Sequence, residues 1–104
     1  MQLISPKECQ IGIEKNELEI IDIRETYEFE NANISCKHIP MAELSSRISE
    51  LDLTKKTVLM CRSGKRAEAL ANFIETEKIA INLFVMDGGI IAWCEIIDSS
   101  IKLD

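Results

Sequence analysis

The stretch "VLMCRSGKRAEAL", residues 58–70, joins an apolar run to a helical pattern through a short cationic loop. The run "KTVLM" (56–60) has the length and composition of a buried strand. After the loop, apolar residues recur at helical spacing at Ala67, Leu70, Ala71 and Ile74. A strand that leads through a short loop into a helix is the repeating unit of α/β folds.

Two more apolar runs predict further strands. "LEIIDI" (18–23) and "NLFVM" (82–86) are each separated from the strand at 56–60 by helical patterns. Strands that alternate with helices predict a largely parallel sheet with helices on both faces, and in such sheets the reactive site lies at the carboxyl ends of the strands. Cys61 follows one of these ends directly.

Three helices are predicted around this frame. Ser5-Pro6-Lys7-Glu8 reads as a capping box that begins a short helix ending near Glu14. "IIAWCEI" predicts a closing helix anchored by Trp93, after a turn at Asp87-Gly88-Gly89. Apolar residues at helical spacing predict another helix between the strands at 18–23 and 56–60, at Met41, Leu44, Ile48 and Leu51.

The length and charge of the chain limit its function. Its 104 residues, 46% of them apolar, are expected to form one domain over residues 1–104. A formal net charge of -6 argues against nucleic acid and against anionic membrane surfaces as partners. The N-terminal residues lack the apolar stretch of a signal peptide, and no run reaches membrane-spanning length, so the expected location is the cytoplasm.

The cysteine pattern predicts free thiols without a metal or another cofactor. Cys9, Cys36, Cys61 and Cys94 include no C-x-x-C pair, and His38 is the only histidine. Cys9 and Cys94 lie in apolar helical patterns and are expected in the core. Cys36 lies in a polar turn, where an exposed thiol would be available as a resolving thiol for Cys61, an alternative that stays open.

The surroundings of Cys61 favour a thiolate, which is the nucleophilic form of cysteine. A helix predicted to begin near Arg66 directs its partial positive end and unpaired N–H groups at the loop, and Gly64 lets the backbone curl. The loop adds three cations, Arg62, Lys65 and Arg66. The structural alternative is a buried strand-end cysteine beside a solvated charged loop.

Cysteine phosphatases also place a cysteine in a loop before a helix, with the signature C-x5-R. Here the seventh position, counted from Cys61, is Ala67, and Arg66 comes one residue early. The residue before the cysteine is Met60, whereas a phosphatase is expected to have histidine there. A ring too tight for a phosphoryl group can still hold one additional sulfur atom on Cys61.

The chain resembles the single-domain rhodaneses, a family of sulfurtransferases, over nearly its whole length. "IIDIRETYEFE" resembles the D-x-R-E-x-x-E-[FY] segment of the family, "HIPMAEL" its I-P stretch, and "ISPKE" its opening strand and capped helix. "CRSGKRA" resembles the active loop and "MDGGIIAWCE" the closing G-G-x-x-[AG]-W signature. "NANISCKHIP" departs from the family because it lacks the usual Gly-His before the I-P stretch.

The resemblance implies that Cys61 accepts a sulfane sulfur from a small anionic donor such as thiosulfate. The resulting persulfide would pass the sulfur to a thiol or a protein acceptor. The protein would then act either as an enzyme or as a sulfur carrier with little turnover. The family's cradle corresponds to six residues of this chain, namely Cys61, Arg62, Ser63, Gly64, Lys65 and Arg66.

Charged residues at and after the end of the strand at 18–23 are interpreted as structural. Asp22 and Arg24 are expected to form an ion pair or a backbone clamp near the site, in preference to contacting substrate. The acidic run of Glu25, Glu28 and Glu30 is interpreted as a solvated face, with a docking surface as the alternative.

Overall fold

A computed structural model describes all 104 residues and has the predicted α/β architecture. Five parallel strands form one sheet in the order β1-β5-β4-β2-β3. The strands are β1 (Gln2–Ile4), β2 (Leu18–Asp22), β3 (Lys37–His38), β4 (Lys56–Met60) and β5 (Leu83–Met86). The α-helices are α1 (Pro6–Glu14), α2 (Thr26–Asn31), α3 (Lys65–Thr76) and α4 (Gly89–Ile96).

Apolar clusters cover both faces of the sheet, as predicted. Because side chains alternate along a strand, Val58 and Met60 pack on one face with residues of α1 and α4, including Trp93. Leu59 and Cys61 pack on the other face with residues of α3. Cys61 therefore belongs to the apolar cluster that includes residues of α3. No helix combines the length and hydrophobicity needed to cross a membrane.

The first helix begins and ends as its sequence predicts. The Glu8 N–H donates to Ser5 Oγ at 3.1 Å, and the Ser5 N–H donates to the Glu8 carboxylate at 3.3 Å. This reciprocal capping box satisfies two N–H groups that a helix start would otherwise leave unpaired. Trp93, only 8% exposed, anchors α4 against the sheet, which confirms its predicted role.

The predicted helix over residues 41–51 is wrong in type, because the segment forms two 3₁₀ helices, Met41–Ser46 and Ile48–Glu50. Their bonds join residues three apart, such as the Arg47 N–H to the Leu44 carbonyl at 2.9 Å. A 3₁₀ turn places residues i and i+3 on the same side. Two apolar pairs spaced by three, 41 with 44 and 48 with 51, therefore fit 3₁₀ turns as well as an α-helix.

Candidate functional site

Cys61 lies directly after β4, at the carboxyl end of the central strand of the sheet, and is only 1% exposed. Its Sγ accepts hydrogen bonds from the Gly64 N–H at 3.1 Å and from the Ala67 N–H at 3.4 Å. Gly64 has φ of 105°, in the left-handed region that glycine adopts readily, and this turns the loop back over the sulfur. The thiol therefore lies inside a loop closed by the first turn of α3.

Four more N–H groups of the same loop have no protein acceptor. They belong to Arg62, Ser63, Lys65 and Arg66, and the last two are in the first turn of α3. The first N–H groups of a helix lack partners within the helix and are suited to bind an anion. Two amides thus bond Sγ, and four others of the same short loop remain without a protein acceptor.

The first turn of α4 forms hydrogen bonds with the backbone of the Cys61 loop. The Ile90 N–H donates to the Cys61 carbonyl at 2.8 Å, and the Ile91 N–H donates to the Arg62 carbonyl at 3.1 Å. In a planar trans peptide, the C=O of one residue and the N–H of the next point in opposite directions. Since both carbonyls face α4, the N–H groups of Arg62 and Ser63 face away from it.

This contact requires glycine at residue 89. A Cβ there would lie 2.5 Å from the Arg62 carbonyl oxygen, and closer still to the Cys61 carbonyl oxygen. Gly89 also has φ of 60°, which is unfavourable for residues that carry a side chain. The sequence predicted only a turn at these residues, whereas in the structure Gly89 fixes the direction of the loop peptides.

The three loop cations have different surroundings. Arg66 forms a two-bond ion pair with Glu28, at 2.7 and 2.9 Å, and this guanidinium holds the pKa of the Glu28 carboxyl below its usual value. Arg62 donates from Nη2 to the Asp104 carbonyl at 2.6 Å. Lys65 is exposed, as is Ser63. Because Glu28 is paired with Arg66, its interpretation as part of a solvated face is wrong.

Asp22 and Arg24 form the ion pair that the sequence predicted. Both are buried, and the Arg24 guanidinium donates to Asp22 at distances between 2.8 and 3.2 Å. Arg24 also donates from Nη2 to the Ala32 carbonyl at 2.7 Å, so it clamps the backbone after α2. His38 bonds the Arg24 carbonyl through Nε2 at 2.8 Å and stacks on Phe29. These residues fix the segment that carries Glu28.

The other three cysteines lie apart from the loop. Cys9 is fully buried, as predicted, and its burial raises the pKa of the thiol to about 12. Cys36 packs beside the cluster on the opposite face of the sheet from Cys61, and burial likewise raises its pKa to about 12. This placement gives no support to Cys36 as a resolving thiol. Cys94, predicted in the core, is only half-buried at the edge of the same cluster.

A model of the rhodanese-like domain matches residues 5–96. The chain belongs to the rhodanese-like domain family. It is 31% identical over 78 residues to the Bacillus subtilis protein named "Putative sulfurtransferase YtwF", covering 74% of each chain. It is 36% identical over 61 residues to "Putative sulfur carrier protein YrkF" of the same organism, covering 58% of this chain and 33% of that relative.

The chain thus spans about a third of one relative and about three quarters of the other. Among solved structures, a rhodanese-related protein from Thermoplasma volcanium superposes with a TM-score of 0.78 at 26% identity. That match covers 91% of this chain and 92% of the other. The rhodanese-like assignment therefore rests on both sequence and fold.

Three residues of the site were not predicted from the sequence. Ala67 is not among the six residues of the predicted cradle, yet its N–H bonds Cys61 Sγ. Glu28 was treated as solvated, although it lies in the quoted D-x-R-E-x-x-E segment, which was the available signal. For Gly89, the signal was the Gly-Gly pair before the last helix.

Proposed function

We propose that this rhodanese-like domain is a sulfurtransferase in which Cys61 carries the transferred sulfur. The Cys61 thiolate attacks the outer sulfur of a donor such as thiosulfate, the S–S bond of the donor breaks, and sulfite leaves with the electron pair. A thiolate acceptor then attacks the terminal sulfur of the Cys61 persulfide, which restores the Cys61 thiolate. The roles of Cys61 and the loop residues 62–66 are part of this proposal.

The observation that carries the proposal is the pair of amides that bond Sγ, together with the unpaired amides of the same loop. Two N–H groups bond the sulfur, and four others on the same short loop have no protein acceptor. Such N–H groups stabilise a negative charge on sulfur without changing their positions during the reaction. A persulfide places its charge on the outer sulfur, which the unpaired amides of Arg62, Ser63, Lys65 and Arg66 would bind.

The surroundings of Arg66 argue against a phosphatase. A phosphatase of the C-x5-R type needs its arginine to bind the phosphoryl oxygens, but Arg66 is bonded through two nitrogens to Glu28. Cys61 is also only 1% exposed, which favours a slender sulfur-bearing group as its reaction partner. Both observations support sulfur transfer over phosphoryl transfer.

A carrier role is the second candidate. One relative is named a sulfur carrier, and this chain matches about a third of its length. A carrier would become persulfidated on Cys61 but would show negligible turnover with thiosulfate and cyanide. The same amide cradle would then serve to store the sulfur, since it stabilises the persulfide anion in either role.

Steady-state transfer of sulfur to cyanide tests the proposal. We expect turnover with thiosulfate or a small persulfide as donor, and we expect Cys61→Ser to abolish it. Cys36→Ser is the matched control and should retain turnover, because Cys36 lies with the opposite apolar cluster. Turnover that survives in Cys61→Ser would contradict the assignment of the nucleophile. Persulfide loading without turnover would favour the carrier.

A further inference from the structure

The Glu28 carboxylate accepts two hydrogen bonds from the guanidinium of Arg66, the last residue of the cradle. Nη1 and Nη2 donate to the two carboxylate oxygens at 2.7 and 2.9 Å. This arrangement uses the parallel N–H groups that a guanidinium would otherwise present to a tetrahedral oxyanion. The Glu28 side chain is 15% exposed and that of Arg66 37%, so the pair is partly shielded from water.

The other two loop cations are placed differently from Arg66. Arg62 is exposed and donates from Nη2 to the Asp104 carbonyl, whereas the exposed Lys65 offers a point charge rather than a planar fork. The groups that face Sγ are uncharged amides, those of Gly64 and Ala67. The cradle is therefore matched to a sulfur atom, whereas a dianionic group at its mouth would find the paired N–H groups of Arg66 already bonded to Glu28.

We propose that Glu28 is a positioning residue that sets the class of sulfur donor. By holding Arg66, it disfavours dianionic tetrahedral donors such as thiosulfate relative to donors whose outer sulfur is bound to a thiol, R–S–SH. This inference rests on the proposed sulfurtransferase function. With such a donor, the Cys61 thiolate attacks the outer sulfur and the R–S bond to that sulfur breaks. The released R–S⁻ takes the proton, which leaves the Cys61 persulfide as its anion.

Protection of Cys61 by inorganic phosphate tests the inference without any sulfur transfer. Phosphate serves as an unreactive tetrahedral dianion, and neutral iodoacetamide reports free Cys61 through the mass of its peptide. In Glu28→Gln we expect the half-protecting phosphate concentration to fall about tenfold, because one unit charge on Arg66 is no longer compensated. The glutamine keeps the shape of the side chain.

Two further variants separate this role from a structural one. Glu28→Gln/Arg66→Met removes the pair with no change in net charge, and its phosphate protection should return to that of the parent. Glu30→Gln removes one exposed carboxylate from the same helix and should leave protection unchanged. A shift of equal size in Glu30→Gln, or a gain that persists in the double variant, would overturn the inference.

Donor preference gives a second measurement. We expect Glu28→Gln to raise the ratio of kcat/KM for thiosulfate to kcat/KM for a small persulfide. An unchanged or lower ratio would overturn the inference, as would unchanged or weaker phosphate protection. Failure of the proposed function would give a different result, because no donor would then load sulfur onto Cys61. That result is independent of whether phosphate protects Cys61 from iodoacetamide.

Discussion

Replacement of Gly89 by alanine should displace the cradle and slow sulfur loading. The new Cβ would lie 2.5 Å from the Arg62 carbonyl oxygen, so the carbonyls of Cys61 and Arg62 must move away from α4. The backbone of residue 89 has φ of 60°, which costs a residue with a side chain about 1–2 kcal/mol. Two hydrogen bonds to α4 would weaken, each worth about 1 kcal/mol.

These contributions sum to a loss of about 3 kcal/mol in the free energy of unfolding. Urea unfolding followed by the fluorescence of Trp93, the single tryptophan, measures this loss. We also expect loading of sulfur onto Cys61 to slow by about tenfold or more, because a small misplacement of reacting groups is enough for such an effect. Intact mass at successive times after addition of donor measures the loading rate.

Gly88→Ala is the matched control. Gly88 also has a positive φ, of 79°, but a Cβ there would meet the Ala92 Cβ at 2.6 Å within α4 and would not meet the loop. It should therefore lower stability while loading stays closer to that of the parent. If Gly89→Ala loaded sulfur at the parental rate, our explanation of how α4 orients the loop peptides would be refuted.

Three further predictions follow from buried and paired groups. Arg24→Met should lower the free energy of unfolding by about 3–5 kcal/mol in urea titrations, because it leaves Asp22 buried without its partner. The lowered pKa of Glu28 implies a stabilisation of the folded state that is complete above the unfolded pKa of about 4.3 and is lost as pH falls through the lower folded value. The difference in free energy of unfolding between the parent and Glu28→Gln should therefore shrink in acid. Cys36, whose pKa is raised to about 12, should resist iodoacetamide at neutral pH while Cys61 reacts, as peptide mapping would reveal.

Much of the fold follows from local patterns in the sequence. The run "KTVLM" has no polar residue after Thr57, and it forms the central strand of the sheet. The capping box at Ser5 is a contact between residues three apart, so the sequence alone indicates it. The pair of Asp22 and Arg24 is equally local, since the two residues flank one strand end.

Two parts of the site that the sequence did not predict are contacts between distant segments. Glu28 meets Arg66 across 38 residues, and no spacing rule connects them. The N–H groups of α4 reach the Cys61 loop only because the two adjacent parallel strands end at the same edge of the sheet. The sequence does not distinguish the 3₁₀ turns after Pro40 from an α-helix, because both structures accommodate apolar residues three apart.

The central claim is that Cys61, whose Sγ is bonded by loop amides, carries the transferred sulfur as a persulfide. Its most direct test is the intact mass of the protein after exposure to a small persulfide or to thiosulfate, followed by removal of free donor. We predict a gain of the mass of one sulfur atom, located by peptide mapping on Cys61 and absent in Cys61→Ser. A sulfur adduct of equal yield in Cys61→Ser, or no adduct on the parent protein with either donor, would contradict the claim.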